Sequence, residues 1–329
     1  MQAYRIPNDG GGGIFILTNS AARTNLGTRI ASGTPGYSWD RLAAGPFNVR
    51  WFGADGSRTG VRDATAAIQN AIDVADAEVR STVYFPGGTY WITNLLIPAA
   101  ITIFGDGMTD QTVIKGLPNS SGLMITDKGS AAKINIRNLQ ISGNNQKYTS
   151  LLRLGYNSVL FGTEGVIENV WIRDSPGAVA LDVNGNVGRF QNLTLQNVAT
   201  GFRLIGDANK VSGVVVVKYS AFGLYLHTRS SSFVNTHLEG NLSDDTVPIY
   251  ITRSLNWFSG LSISLTAQTK VKSLVVANLN VADQAYEVTI EGGTVNVPKS
   301  ANFGHYLTHK GIGYGAGSSH SEKHFSYPR

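Results

Sequence analysis

Glu168, Asp174 and Asp182 stand close together in the chain, and carboxylates in pairs are the groups that break glycosidic bonds. Such a pair works at a separation of about 5 to 9.5 Å, one group protonating the leaving oxygen while the other attacks or activates water. Asp182 with Asp174 or with Glu168 is the catalytic pairing this sequence offers. The plainer reading of each is a turn residue or a solvated charge, since Asp at a corner of the chain caps turns. A lyase would need instead a base to abstract a proton, with Arg or Lys beside the sugar carboxylate. Arg153 and Arg203 answer loosely to that need. With Tyr225, His227 and Tyr250 they form a set suited to an elongated acidic glycan. Arg pairs with carboxylates in a fork, and Tyr offers a flat face plus a hydroxyl. The alternative is an outer surface that is polar and aromatic for no reason beyond solubility.

Residues so far apart can meet only if the chain repeats. Segments beginning at Asn138, Asn169, Asn192, Gly213, Asn235 and Gly260 read alike, a small or amide residue followed by two apolar positions around an outward one. Their first residues are separated by 31, 23, 21, 22 and 25 positions. Short strands at that spacing predict a solenoid in which every coil stacks on the last. A second strand series interleaves with the first, so each coil carries two or more strands. The fold expected is all-β, a parallel β-helix.

Stacked strands lie about 4.8 Å apart, so outward positions become rows along the solenoid. Aligning the second series predicts one row of Arg153, Ala180, Arg203, Tyr225 and Tyr250. A row beside it would hold Gly155, Asp182, Ile205, His227 and Thr252. The first series predicts a row with Gln140, Trp171, Thr194, Val215 and His237, flanked by one with Arg173, Gln196, Val217 and Glu239. Trp171, Val215 and Val217 facing outward make an apolar face that something should cover. Packing against identical chains about a threefold axis would cover it, with His237 in the same seam; a sugar-stacking platform is the other reading.

Composition agrees with a turn-rich β chain. Of 329 residues 38 are Gly, charged residues are 15% and aromatics 9%. There is no Cys, hence no disulfide framework and no thiolate metal site. The net charge of +5 suits an acidic partner, but the basic residues are scattered without a run, which argues against nucleic acid. No stretch is long and apolar enough to span a membrane. The first residues lack the basic start and apolar core of a secretory signal. No cofactor and no metal is expected. The His-x₃-His spacings at His305/His309 and His320/His324 would serve a metal only on a helix, and their Gly-rich setting opposes one.

Residues 1–45 predict a small β-rich attachment or cap segment, with Asp9 to Gly13 as a turn before the Ile14–Leu17 run. Asp63 is the expected N-cap of one amphipathic helix, in which Ala67, Ile68, Ala71, Ile72 and Ala75 recur at helical spacing to about Glu78. A solenoid needs its first coil covered, because an open end exposes core and unpaired strand edges. Residues 46–298 are expected to form the β-helix itself, and 299–329 an extended C-terminal tail.

Four elements in residues 9–116 resemble the pectate-lyase-like single-stranded right-handed parallel β-helices of bacteriophage tailspikes and related bacterial proteins. They are the Asp-plus-glycines opening at Asp9 to Phe15, the entry strand Phe47 to Gly56, the capping helix from Asp63, and the first coil from Val83 to Tyr90 followed by Phe104-Gly105-Asp106-Gly107. Ser57 to Arg62 replaces the Asp-rich stretch usual before the helix and adds positive charge there. The resemblance is specific for fold and silent on activity, since the group holds lyases, hydrolases, epimerases and non-catalytic virion proteins. It implies a virion tail protein, a homotrimer attached to other tail proteins by its N-terminal segment and binding bacterial surface polysaccharide, with cleavage of that polysaccharide left open. A secreted polysaccharide lyase or hydrolase, and a purely structural virion component, are the alternatives.

Overall fold

The computed structural model describes residues 9–264 apart from 21–23, 44, 79–80, 157–158, 163–164, 242–245 and 254–255. After them it describes the strands Val275–Ala277, Val288–Asn296, Thr308–Lys310 and Gly313–Tyr314. Among the described residues the chain is a parallel β-solenoid of about 7 turns with a single α-helix. The all-β, helix-capped β-helix expected from the repeat is the fold observed.

The repeat has a backbone cause. Asn138, Asn169, Asn192 and Asn235 adopt φ of 56, 53, 49 and 52°, and Gly213 and Gly260 take 62 and 66°. An L-residue pays to enter this left-handed region; Gly does not, and Asn tolerates it better than most. The small-or-amide letter of each repeat is therefore a corner where the strand leaves one face and begins the next. The corner amides also hold one another, Asn169 Nδ2 donating to Asn138 Oδ1 at 3.0 Å and Asn192 Nδ2 to Asn169 Oδ1 at 2.7 Å.

Three faces result. The first face lies before the corner, as at Asn135–Arg137; the second lies after it, as at Leu139–Ser142; the third comes later in the turn, as at Ser150–Leu154. Strand alternation sends every other side chain inward. On the second face Leu139, Val170, Leu193 and Val214 stack in register, all fully buried. On the third face Leu152, Leu181, Phe202, Leu224 and Ile249 do the same. Each such side chain contributes about 1.5–3 kcal/mol relative to exposure, so the stacked rows hold the coils together.

Helix α1 (Thr65–Ala77) closes the N-terminal end with Ile68, Ala71, Ile72 and Ala75 fully buried. Its N-cap is Ala64, one residue past the expected Asp63, and Ala64 makes no side-chain cap. Asp63 still serves the helix start, its Oδ1 accepting from the Thr65 N–H at 2.8 Å. In the first coil, a Cβ on Gly88 would lie 2.2 Å from the Gly56 carbonyl oxygen, so only glycine fits that crossing.

Before the solenoid, β1 (Phe15–Asn19), β2 (Arg29–Ala31) and β3 (Tyr37–Arg41) form an antiparallel sheet in the order β1-β3-β2. Arg41 fastens it down: its guanidinium donates to the Gly11 and Gly12 carbonyls at 2.7 and 2.6 Å and lies 4.8 Å over the Trp51 ring. At the other end, Thr308–Lys310 and Gly313–Tyr314 pair in parallel with Val288–Asn296, so stacking continues beyond residue 298. The remainder of the expected tail, His305, His320 and His324 included, lies outside the described residues.

Candidate carbohydrate face

On the third face the register sets Leu96, Thr126, Arg153, Asp182, Arg203, Tyr225 and Tyr250 in one row. Asp182 takes the place that the sequence alignment gave to Ala180, and Ala180 is fully buried. The reason is a bulge. Ser175 pairs with Val198 but Val179 pairs with Thr200, so this turn holds two more residues at its corner than the next. The row beside it runs Asn184, Ile205, His227, without Asp182.

Asp182 is fully buried and its carboxylate is saturated. Arg203 donates to it in a fork, Nε to Oδ1 at 2.7 Å and Nη2 to Oδ2 at 2.5 Å. The Tyr156 hydroxyl donates to Oδ1 at 2.5 Å and the Ser150 hydroxyl to Oδ2 at 3.2 Å. Arg153 approaches to 3.9 Å and lays its guanidinium 4.2 Å over the Tyr156 ring. A carboxylate offers about four acceptor sites, and these donors fill them. The hydrogen bond to Asp182 pushes Arg203 above its ordinary value against the opposing effect of burial. Burial, and then donation to Asp182, pushes the Tyr156 phenol up, so it stays a donor at any working pH.

Further along the row the chemistry becomes aromatic. Tyr225 and Tyr250 stack at 5.1 Å with 23° between their planes, and Phe222 packs on them at 5.4 and 5.3 Å. Beside them His227 Nδ1 lies 2.6 Å from Thr252 Oγ1; burial and then the Arg253 charge lower the imidazole below its ordinary value. At the opposite end the row opens into a cleft of about 510 Å³ lined by Asn94, Leu96, Asn119, Ser121, Leu123 and Thr126, with others. Arg153, Arg203, Tyr225, His227 and Tyr250 therefore share one face.

The three carboxylates do not gather. Glu168 is half-buried on the first face, in register with Arg137 and Gln191. Asp174 occupies a corner at φ 61°, where Asn197 Nδ2 donates to it at 3.1 Å and Arg173 Nε lies 3.4 Å away. No described partner is common to Asp174 and Asp182, and the Glu168 side chain makes no described hydrogen bond or ion pair. What Asp174 does face, across Arg173, is Asp110, whose Oδ1 is 3.4 Å from Arg173 Nη2. The two carboxylates line a polar cleft of about 280 Å³ with Lys115, Gln140 and Ser142. Asp110 belongs to a turn at φ 53°, outside every repeat segment, and no repeat or motif marks it in the sequence.

On the second face the two predicted rows appear in register, from Gln140 through Trp171, Thr194, Val215 and His237, and from Arg173 through Gln196, Val217 and Glu239. Trp171 is less naked than expected, because the Arg173 guanidinium lies 4.5 Å over its ring. Val215 and Val217 are half-buried among polar neighbours, and His237 Nε2 is 3.2 Å from Glu239. Among the described residues no group of three or more His, Asp or Glu is placed to hold a metal. No helix among them is long and apolar enough to cross a membrane.

Residues 46–131 match the family model described as rhamnogalacturonase A/epimerase, pectate lyase-like. Mannuronan C5-epimerase AlgE5 of Azotobacter vinelandii is 29% identical over 241 residues, which is 60% of this chain and 24% of that protein. Mannuronan C5-epimerase AlgE1 of the same organism is 33% identical over 149 residues, 40% of this chain and 10% of its own length. The chain thus spans a minor part of these curated relatives. Among solved structures, tailspike protein 2 of an Escherichia coli bacteriophage superposes with a TM-score of 0.67 at 15% identity, covering 92% of this chain and 43% of that one. Tailspike protein gp49 of an Acinetobacter baumannii bacteriophage, a capsular polysaccharide depolymerase, gives 0.65 at 8% identity, covering 95% and 71%. The entrance to the solenoid carries the pectate-lyase-like signature, and the chain as a whole shares the β-helix fold of the phage tailspikes.

Proposed function

We propose that this chain is the polysaccharide-binding β-helix of a virion tail protein, acting outside the cell on a bacterial surface glycan. The observation that carries the reading is the third face, where a fork-forming arginine row runs into the Phe222, Tyr225 and Tyr250 cluster. Sugars present C–H faces to aromatic rings and hydroxyl or carboxylate groups to guanidinium. Arg203 spends two of its five donors on Asp182 and is 35% exposed, so the remaining donors are held in a fixed direction for a ligand. Asp182 serves this reading as the anchor of Arg203. In the same reading the chain is a homotrimer in which Trp171, Val215, Val217 and His237 lie at the seam. The β1–β3 sheet, with Leu17 50% and Trp39 42% exposed on facing positions, meets other tail proteins.

A second reading is a secreted polysaccharide-modifying enzyme. The curated relatives favour it, being named as epimerases and an alginate lyase, and the Asp110–Arg173–Asp174 cleft gives it a place for chemistry. An array of purified bacterial capsular polysaccharides tests the first reading. The chain should bind at least one, and Tyr225→Ala with Tyr250→Ala should abolish that binding without changing the circular dichroism. A chain that binds none sinks it. New reducing ends or unsaturated uronate appearing in the bound glycan would bring in the second reading. Light scattering reports the trimer.

A further inference from the structure

Charges that stand close on this solenoid are mostly closed on each other, as Asp182 with Arg203, Asp207 with Arg253 and Asp174 with Arg173. One row behaves otherwise. On the first face Tyr84, Phe104, Arg137 and Glu168 follow one another in register. Arg137 and Glu168 are vertical neighbours, yet neither side chain makes a hydrogen bond or ion pair with any described residue. In the adjacent row, two positions earlier and on the next two coils, Arg189 and Lys210 pair in register, both exposed and both without a described ion-pair partner. Below these cations Tyr84 and Phe104 stack at 5.0 Å and 23°. The Tyr84 hydroxyl is fixed by donating to Asp106 Oδ1 at 2.6 Å, and burial, with that bond, pushes it up to about 12.

We propose that these two adjacent rows form a second glycan site, distinct from the third face, and that it takes an extended acidic polysaccharide such as a polyuronate. The proposal deepens the polysaccharide-binding reading and rests on it. A preset aromatic platform can carry the C–H face of one sugar. Arg137, Arg189 and Lys210 then meet carboxylates on the following sugars, and Glu168 accepts from hydroxyls. Rows of this kind advance about 4.8 Å per coil, so a glycan lying along the axis meets a new side chain at each step. With Asp106 counted, three cations against two carboxylates leave the two rows a positive sign, which selects an acidic polymer over a neutral one.

Binding of polygalacturonate and alginate oligosaccharides to the full chain, with neutral dextran as control, is measured by titration calorimetry at several salt concentrations. The chain should bind a polyuronate in preference to dextran. The triple variant Arg137→Ala, Arg189→Ala, Lys210→Ala should weaken that binding by roughly tenfold or more and flatten its salt dependence. Phe104→Ala should weaken it severalfold and leave the salt dependence in place. Tyr225→Ala with Tyr250→Ala should leave polyuronate binding at this site intact. A triple variant that binds polyuronate like the parent overturns the proposal. So does a parent that prefers duplex DNA to polyuronate, or a triple variant that dissociates the oligomer in light scattering, which would make the two rows a contact between copies. A parent that binds neutral glycans through the third face but no polyuronate removes this site and leaves the broader reading standing.

Discussion

On the third face, Asp182 is wholly buried and shared among Arg203, Tyr156 and Ser150, whereas on the first face Arg137 and Glu168 stand on consecutive coils without closing. The strand spacing is the same in both places, so geometry of the backbone does not explain the difference. Burial does. A carboxylate inside the wall of the solenoid must be paired and hydrogen-bonded or it costs several kcal/mol. A charge on the outer surface loses little by staying hydrated, and gains little by pairing. The closed site is therefore built for holding a conformation, and the open one is free to meet a ligand.

The sharpest way to break this comparison is to remove the buried carboxylate. Asp182→Ala leaves the Arg203 fork facing a cavity and strips Tyr156 of its acceptor. The loss expected is about 3–5 kcal/mol, the range for taking one partner from a buried pair. Urea denaturation measures it. A loss below about 1 kcal/mol would mean that the network holds nothing together.

The corners between the first and second faces come next in size. Asn169→Ala keeps a left-handed backbone without the side chain that tolerates it, and breaks the amide contacts to Asn138 and Asn192. A cost of about 1–2 kcal/mol is expected, while Asn169→Gly should recover the backbone share of it. Equal losses for Ala and Gly would move the effect from the backbone to the amide ladder.

Those corners explain why so much of the fold was legible and why the site was less so. A left-handed φ favours Asn and Gly, and at this corner each coil uses one of them, so the repeat stamps a letter on the sequence. The row of Arg153 and Arg203 left no such letter. Its register depends on the bulge between Ser175 and Val179, and extra residues at a corner look, in sequence, like any other loop. That is how Ala180 came to occupy the place of Asp182. Similarly, Trp171 reads as an exposed ring until Arg173 is seen to fold over it, because a long flexible side chain chooses its cover from neighbours in space. The pairing of Asp110 with Asp174 across Arg173 has the same cause, joining a turn to a corner that belongs to a different coil.

A smaller effect concerns pH. His227 has its folded value lowered, by burial first and the Arg253 charge second. The unfolded chain then takes up a proton first as pH falls. The stability that comes from a neutral His227 is present above the unfolded value near 6.5 and is lost as pH falls through the folded one. His227→Gln should flatten stability measured across that window. If parent and variant fall in parallel, other groups govern the acid limb.

The smallest expected effect tests the open side of the comparison directly. In a double-mutant cycle, exposed Arg137→Ala and half-buried Glu168→Ala should each change stability by less than about 0.5 kcal/mol, since neither side chain has a described partner to lose, with a coupling near zero. The corresponding cycle of Arg203→Ala with Asp182→Ala should show coupling well above 1 kcal/mol, the scale for residues in one network. A measurable coupling between Arg137 and Glu168 would mean that the two charges do close on each other in solution. The first face would then be another closed pair, with Arg137 already spent, and its claim to a ligand would rest on Arg189 and Lys210 alone.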